Sequence, residues 1–218
     1  MPESKSAILA AIWRDKMHLE SRALAQSPHV VQRAFAHAMV PVEMIQAFLA
    51  RFPVGLLHMW HRGECGHIVF THQASRYANE AYLFRDRSLM GTCLIGLGDL
   101  ARDRYVAMRP LLVFTDHLLG SGTGCGSMFS EGAGVSTDIA GAAQRFCKIA
   151  SLGYGMEHWG ESGSGEYYCQ SLWQYLTSPA ELGTVDPLVH RLYTQTLMCA
   201  AWWQRHGQHT EQDRHPRG

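Results

Sequence analysis

The sequence predicts an all-α fold, organised as a single helical bundle of seven to nine helices. Apolar residues recur at helical spacing along most of the 218 residues, and no segment shows the alternation that is typical of a half-buried strand. Hydrophobic residues make up 46% of the chain and charged residues 17%, which is enough apolar material for one core. No repeat or shift in composition divides the chain. We therefore expect one domain over residues 1–206, followed by a disordered polar tail over 207–218.

Prolines and glycines set the boundaries of the predicted helices. Pro28 stands in the favoured first turn of a short helix, and Pro41 begins the next one. Pro53 predicts a kink or break within residues 52–56, and Gly63 ends that helical stretch. The predicted helical ranges are 5–25, 28–37, 41–63, 69–90, 94–108, 111–119, 136–158, 166–176 and 186–206.

The second half of the chain contains one clear connector, the glycine-rich residues 120–134. They lack the spacing of a phosphate-binding loop, so a simple connection between helices is expected. His117 precedes this connector near the end of a helix, where the helix dipole favours it and no special role is required. Pro110 predicts a helix boundary. Asp186 is predicted to be the N-cap of the last helix.

The composition excludes several classes of function. Nineteen basic residues balance nineteen acidic ones and are scattered, so the chain has no electrostatic footprint for nucleic acid or for an anionic membrane. We expect neither a signal peptide nor a membrane-spanning helix, and hence a cytoplasmic location. The six cysteines form no C-x-x-C pair and are expected to be reduced, mostly buried thiols.

Two stretches, the first made of two adjacent segments, carry a resemblance to a known superfamily. Residues 27–32 read Ser-Pro-His-Val-Val-Gln, residues 40–49 read Val-Pro-Val-Glu-Met-Ile-Gln-Ala-Phe-Leu, and residues 150–176 place a glutamate among small residues. This order resembles the heme-oxygenase-like helical superfamily, which includes thiaminase II-like proteins, pyrroloquinoline quinone synthase-like enzymes and diiron oxidases. The resemblance implies a helical bundle around a central small-molecule pocket. The helix over residues 194–203 lacks the His-x-x-x-Asp-x-x-His run that holds iron in the diiron members, so their iron site is not carried over.

His58 and His61 form the first candidate cluster, three residues apart on one predicted helix. Glu64 lies one turn further on, and the three side chains project from roughly one side. Imidazoles and a carboxylate suit iron or zinc, but they also suit a polar pocket wall or ordinary surface positions. We assign His58 and His61 to substrate binding, and the metal remains unknown. The cofactor is either none or iron.

Glu157 and Glu161 form the second cluster and are our candidates for catalysis. Glu157 lies among apolar neighbours, where burial would raise its pKa and suit it to act as a general acid or base. A buried glutamate that is hydrogen-bonded to a tyrosine or histidine is the alternative. Tyr154 and Tyr193 are assigned to substrate binding, although an aromatic residue at the spacing of Tyr193 is more often part of a core.

These residues support three hypotheses for the function. The first is a small-molecule biosynthetic enzyme with an enclosed pocket, an oxidoreductase or a cofactor-free enzyme, which does acid/base or oxidative chemistry on a compact metabolite. The second is a metal-free partner or binding protein that kept the bundle and assists a biosynthetic enzyme. The third is a metal-dependent oxidase with ligands drawn from His58, His61, Glu64, Glu157 and Glu161. Helices rich in methionine and tryptophan are compatible with a homodimer.

Overall fold

The structure is a computed structural model that describes residues 4–35, 37, 39–153 and 163–206. Helices account for most of these residues. In chain order the described α-helices are α1 Lys5–Lys16, α2 Ala23–Gln26, α3 His29–Ala34, α4 Met39–Leu49, α5 Val54–Arg62, α6 Leu97–Arg102, α7 Arg104–Ser121, α8 Thr137–Ser151, α9 Ser164–Thr177, α10 Pro179–Val185, α11 Pro187–Gln195 and α12 Ala200–His206. A single 3₁₀ turn, Phe129–Glu131, lies between α7 and α8.

The described residues also form two β-sheets. The described strands are β1 Met17–Leu19, β2 Ile68–Thr71, β3 Arg76–Ala78, β4 Tyr82–Phe84, β5 Arg87–Leu89 and β6 Thr92–Gly96. A four-stranded sheet has the order β1-β2-β6-β3, in which β1, β2 and β6 are parallel and β3 is antiparallel. Strands β4 and β5 form a separate antiparallel hairpin. The all-α prediction is therefore wrong, and so is the single helical bundle: the fold is α/β, with a mixed central sheet.

The central strands escaped prediction because both faces of the sheet are buried. Ile68 and Phe70 of β2 belong to the main hydrophobic core, which helices supply. Val69 and its β6 partner Leu94 belong to a second cluster, covered by Phe84 of the hairpin. A strand buried on both faces is apolar at every position, so it shows no alternation and cannot be distinguished by periodicity from a helix segment.

The sheet shows that several of the predicted helices are wrong. The range 5–25 is interrupted after Lys16 by β1, and the range 69–90 holds strands in place of a helix. Backbone pairing between distant segments overrode a local pattern that also fitted a helix.

Pro110 lies inside α7 and marks no boundary. It is itself buried, and packing of the long α7 outweighs the one backbone hydrogen bond that proline removes.

Other boundaries are confirmed. The chain leaves the helical conformation between Leu49 and Val54, as Pro53 predicted, and α5 ends at Gly63. Asp186 is an N-cap as predicted, and its Oδ1 accepts the amide of Val189 at 3.0 Å. The helix it caps is α11, however, and the predicted helix over 186–206 is divided into α11 and α12. The predicted tail over 207–218 lies outside the described residues. None of the described helices combines the length and the apolar character needed to cross a membrane.

Candidate functional site

Polar side chains gather at the edge of the sheet where the three parallel strands end. Glu20 directly follows β1, and His72 directly follows β2. Asp99 lies three residues after β6, in the first turn of α6. Because parallel strands end at the same edge, these groups come from distant parts of the sequence to one side of the fold. The crevice outside the carboxyl ends of parallel strands is where ligands bind in open α/β sheets.

Glu20 is held between a tyrosine and a histidine. Its backbone amide donates to the carbonyl of Phe70 at 3.1 Å, which places Glu20 beside the end of β2. Its Oε1 accepts the hydroxyl of Tyr82, from the hairpin, at 2.6 Å. Burial and this hydrogen bond raise the pKa of Tyr82 to about 12. The hydroxyl therefore stays protonated at neutral pH and keeps donating to Glu20.

The second oxygen of Glu20 faces His72. Its Oε2 lies 3.7 Å from Nδ1 of His72, an ion-pair separation that is longer than a hydrogen bond. The His72 side chain is 39% exposed, and the Glu20 side chain is 20% exposed. Among the described residues, Nε2 of His72 has no hydrogen-bond partner. A carboxylate hydrogen-bonded to one imidazole nitrogen, with the other nitrogen free, orients a histidine for proton transfer. Glu20 lies on the Nδ1 side of His72 but beyond hydrogen-bond distance.

His72 lines a pocket of about 400 Å³, which we call the strand-end pocket. Gln73, Asp99 and Arg102 supply its other polar groups. Val31, on α3, contributes to its apolar lining. A volume of this size and a mixture of apolar wall with a few polar groups are typical of small-molecule sites.

Asp99 organises the base of the strand-end pocket. Its Oδ2 accepts the amide of Ser75 at 2.7 Å, and its Oδ1 accepts Nη2 of Arg102 at 3.0 Å. Burial by itself raises the pKa of Asp99, but the hydrogen bonds from Ser75 and Arg102 outweigh it and hold the pKa below its ordinary value. The Ser75 hydroxyl in turn accepts the amide of Gly96 at 2.9 Å. Asp99 is thus a fixed carboxylate that holds one side of the Arg102 guanidinium.

The histidines of the first predicted cluster lie elsewhere. His58 and His61 are on α5, and Nε2 of His61 is 2.9 Å from Oδ2 of Asp15 on α1. Hydrogen bonds from Arg14 and then from His61 hold the pKa of Asp15 far below its usual value. Neither histidine lines the strand-end pocket.

Tyr193 is fully buried, and its hydroxyl is 2.9 Å from Oγ of Ser171. It stacks with Phe146, so within the described structure it occupies a core position. Glu157, Glu161 and Tyr154 lie outside the described residues, and their assigned roles stay predictions. Among the described residues, no three histidine, cysteine, aspartate or glutamate side chains converge in a way that would hold a metal ion.

A histidine pair, with His67 buried and His18 half-buried, lies at β1 and the start of β2. His18 is in β1, His67 directly precedes β2, and Nε2 of His18 is 3.1 Å from Nδ1 of His67. Burial lowers the pKa of His67 to about 4, with a further contribution from the positive charge of Lys16. Burial also lowers the pKa of His18. Both rings are therefore neutral at pH 7, and the pair is a structural hydrogen bond between the two strands.

Among the carboxyl groups that the structure describes, Asp116 is the most deeply buried one with a displaced pKa. It accepts the amide of Ser130 at 2.7 Å and the hydroxyl of Ser130 at 2.6 Å. Burial raises the pKa of Asp116 to about 7, although these hydrogen bonds oppose the rise. Through these bonds Asp116 on α7 ties Ser130, near the far end of the glycine-rich connector, back to the helix. The signal in the sequence was an acid within an apolar helix directly before the glycines.

The sequence did not identify Glu20, His72, Asp99 or Arg102 as a site. Glu20 and His72 directly follow β1 and β2, and Asp99 and Arg102 lie on α6, which follows β6. These positions have meaning only once the three segments are recognised as parallel strands. Comparisons with models of protein families, with characterised proteins and with solved structures found no significant match.

Proposed function

We propose that this protein is an enzyme that transfers a proton to or from a small anionic metabolite in the strand-end pocket. The observation that carries the proposal is the pairing of Glu20 with His72 at the carboxyl ends of β1 and β2. The proposal keeps the acid/base part of the function expected from the sequence. It assigns that chemistry to His72, because this histidine lines the strand-end pocket and lies beside the carboxylate of Glu20.

Each polar group of the pocket has a distinct role in this proposal. His72 exchanges a proton with the ligand through Nε2, and Glu20 holds the ring through Nδ1 and stabilises the imidazolium that forms. Arg102 binds the anionic group of the ligand. Its Nε and Nη2 are engaged by Gly98 and Asp99, and the remaining guanidinium donors are available to an anion.

The setting we propose is the cytoplasm. All six cysteines are free thiols, and Cys125 is exposed. An exposed free thiol persists in a reducing compartment, which supports this location.

A binding protein without catalysis is the second candidate. The separation of 3.7 Å between Glu20 and His72 favours it, because a catalytic carboxylate and imidazole normally share a hydrogen bond. Such bonds tighten when the ligand closes the site, so turnover decides between the two candidates.

The test is metabolite profiling with matched histidine variants. The protein is incubated in D₂O with a mixture of 2-oxo acids, hydroxy acids and phosphate monoesters, and mass spectrometry follows deuterium gain and product formation. We expect the wild type to change one compound and His72→Asn to do so about a hundredfold more slowly or worse. His61→Asn removes another histidine that is paired with a carboxylate and should match the wild type.

Each outcome of the profiling has a defined meaning. Equal turnover by wild type and His72→Asn would refute the role of His72. Loss of turnover in His61→Asn alone would favour the α5 histidines. Thermal stabilisation by one compound of the mixture, with no deuterium gain and no product, would support the binding protein.

A further inference from the structure

A second cavity lies between α4, α7 and α9, away from the strand-end pocket. It measures about 450 Å³, and we call it the Met-Trp groove. Its apolar lining comes from Met44, Phe48, Met108 and Trp173. Two arginines, Arg51 and Arg104, also line it. None of its lining residues is acidic.

The floor of the groove is rigid and apolar. Phe48 and Met108 are buried in the core, and the rings of Phe48 and Trp173 lie 5.6 Å apart. Tyr105 supports Trp173 from the other side, with ring centroids 5.9 Å apart. Methionine side chains adapt to irregular apolar shapes, whereas the aromatic rings are fixed by their neighbours. This combination accommodates a flexible apolar body.

The charge of the groove is positive and uncompensated. Arg51 donates to the backbone carbonyl of Leu176 at the end of α9, which fixes its side chain and leaves other guanidinium donors. No ion pair joins Arg104 to an acid among the residues that the structure describes. Its neighbour Asp103 is the N-cap of α7, with its Oδ1 accepting the amides of Tyr105 and Val106.

We propose that the Met-Trp groove binds a small amphipathic carboxylate. The apolar body of this ligand lies against Met44, Met108 and Trp173, and its carboxylate is held by Arg51 and Arg104. Guanidinium groups match the planar geometry of a carboxylate and bind it through paired hydrogen bonds. Apolar contact alone would accept neutral ligands equally, so the two arginines determine the class of ligand. This inference is independent of the chemistry proposed for the strand-end pocket.

The experiment compares octanoate with octanamide, which has the same chain and no charge. The probe is the protein labelled with ¹³C at its methionine methyl groups, of which there are ten. Signals are assigned by Met44→Leu and Met108→Leu. We expect octanoate to move the signals of Met44 and Met108 saturably and to leave that of the exposed Met90 unchanged. Octanamide should bind at least about tenfold more weakly.

Exposed arginines provide matched variants that do not threaten the fold. Arg104→Gln should weaken octanoate binding about tenfold or more, since it removes a charged hydrogen-bond donor. Arg145→Gln removes an arginine on α8 that is also exposed and should leave the affinity unchanged. Equal binding of octanoate and octanamide, no effect of Arg104→Gln, no saturable binding of either probe, or shifts spread over all methionines would each overturn the proposal.

Discussion

Asp116 and His67 are two buried ionisable residues whose pKa values are displaced in opposite directions over the same pH range. The pKa of Asp116 is about 7 in the folded protein, against an ordinary value of about 3.9 in an unfolded chain. Its contribution to stability is therefore present at low pH and is lost as the pH rises from about 4 to 7. The pKa of His67 is about 4 when folded, against about 6.5 when unfolded. Its contribution is lost as the pH falls from about 6.5 to 4.

Replacement of Asp116 should reveal the loss of stability at low pH that His67 causes. Asp116→Asn keeps an oxygen for the Ser130 amide but removes the titrating carboxyl group. When the pH is lowered from 7 to 5, we expect the free energy of unfolding of this variant to fall by about 2 kcal/mol relative to the wild type. Urea denaturation at the two pH values measures this difference. Parallel pH dependences of variant and wild type would show that the carboxyl is ionised in the folded protein.

Replacement of His67 should have the opposite effect. His67→Gln retains a polar side chain beside His18. It removes the imidazole, which burial keeps neutral in the folded protein. Over the same drop in pH, its free energy of unfolding should rise by about 2 kcal/mol relative to the wild type. The same denaturation series measures it. A decrease, or no difference, would contradict the buried neutral state of His67.

At the candidate site, the residues that are close in the sequence are not the residues that are in contact in the fold. The sequence drew attention to His58 and His61 because they are close in the chain, but the partner of His61 is Asp15, 46 residues away. Glu20 and His72 meet only because β1 pairs with β2. A contact of this kind depends on strand pairing, and no local pattern contains that information.

At the level of elements, the boundaries that depend on local chemistry could be predicted. Pro53 interrupts a helix and Asp186 caps one, because each acts on its own backbone neighbours. Strands β2 and β6 could not be recognised, since their burial on both faces depends on the hairpin and on the helical layer.

Two glycines at the junction of β6 and α6 offer a matched test of how the loop after β2 packs against the end of β6. A methyl group on Gly96 would lie 2.3 Å from the carbonyl oxygen of Gln73 and 2.9 Å from the amide of Ser75, whereas one on Gly98 would meet nothing within 4 Å. Gly96→Ala should therefore displace the loop over residues 73–75 and lower the free energy of unfolding by about 1–3 kcal/mol. Gly98→Ala lies within α6 and should be neutral or stabilising by up to about 1 kcal/mol.

Urea denaturation of both alanine variants measures the two effects. Equal stability of the two would show that the loop after β2 is not held against the end of β6. It would also remove the structural basis for placing Ser75 and Asp99 together at the base of the strand-end pocket.

At the scale of the whole molecule, the junction between α6 and α7 separates the two cavities. Arg102 lines the strand-end pocket and Arg104 lines the Met-Trp groove, on either side of Asp103. The sheet edge provides the first cavity, and the packing of α7 with α9 and α4 provides the second. Residues two positions apart in the sequence therefore contribute positive charge to two different sites.

The most direct test of the proposed site is an anion titration followed at the histidine rings. The protein is labelled with ¹³C in its histidine rings, and malonate, 2-oxoglutarate and glycerol phosphate are added in turn. For at least one anion, the ring signal of His72 should shift saturably while that of His61 stays in place. Arg102→Gln should weaken this binding about tenfold or more, and Arg145→Gln should not. A His72 signal that does not respond to any of the three, or binding that is unaffected by Arg102→Gln, would contradict the placement of an anionic ligand in the strand-end pocket.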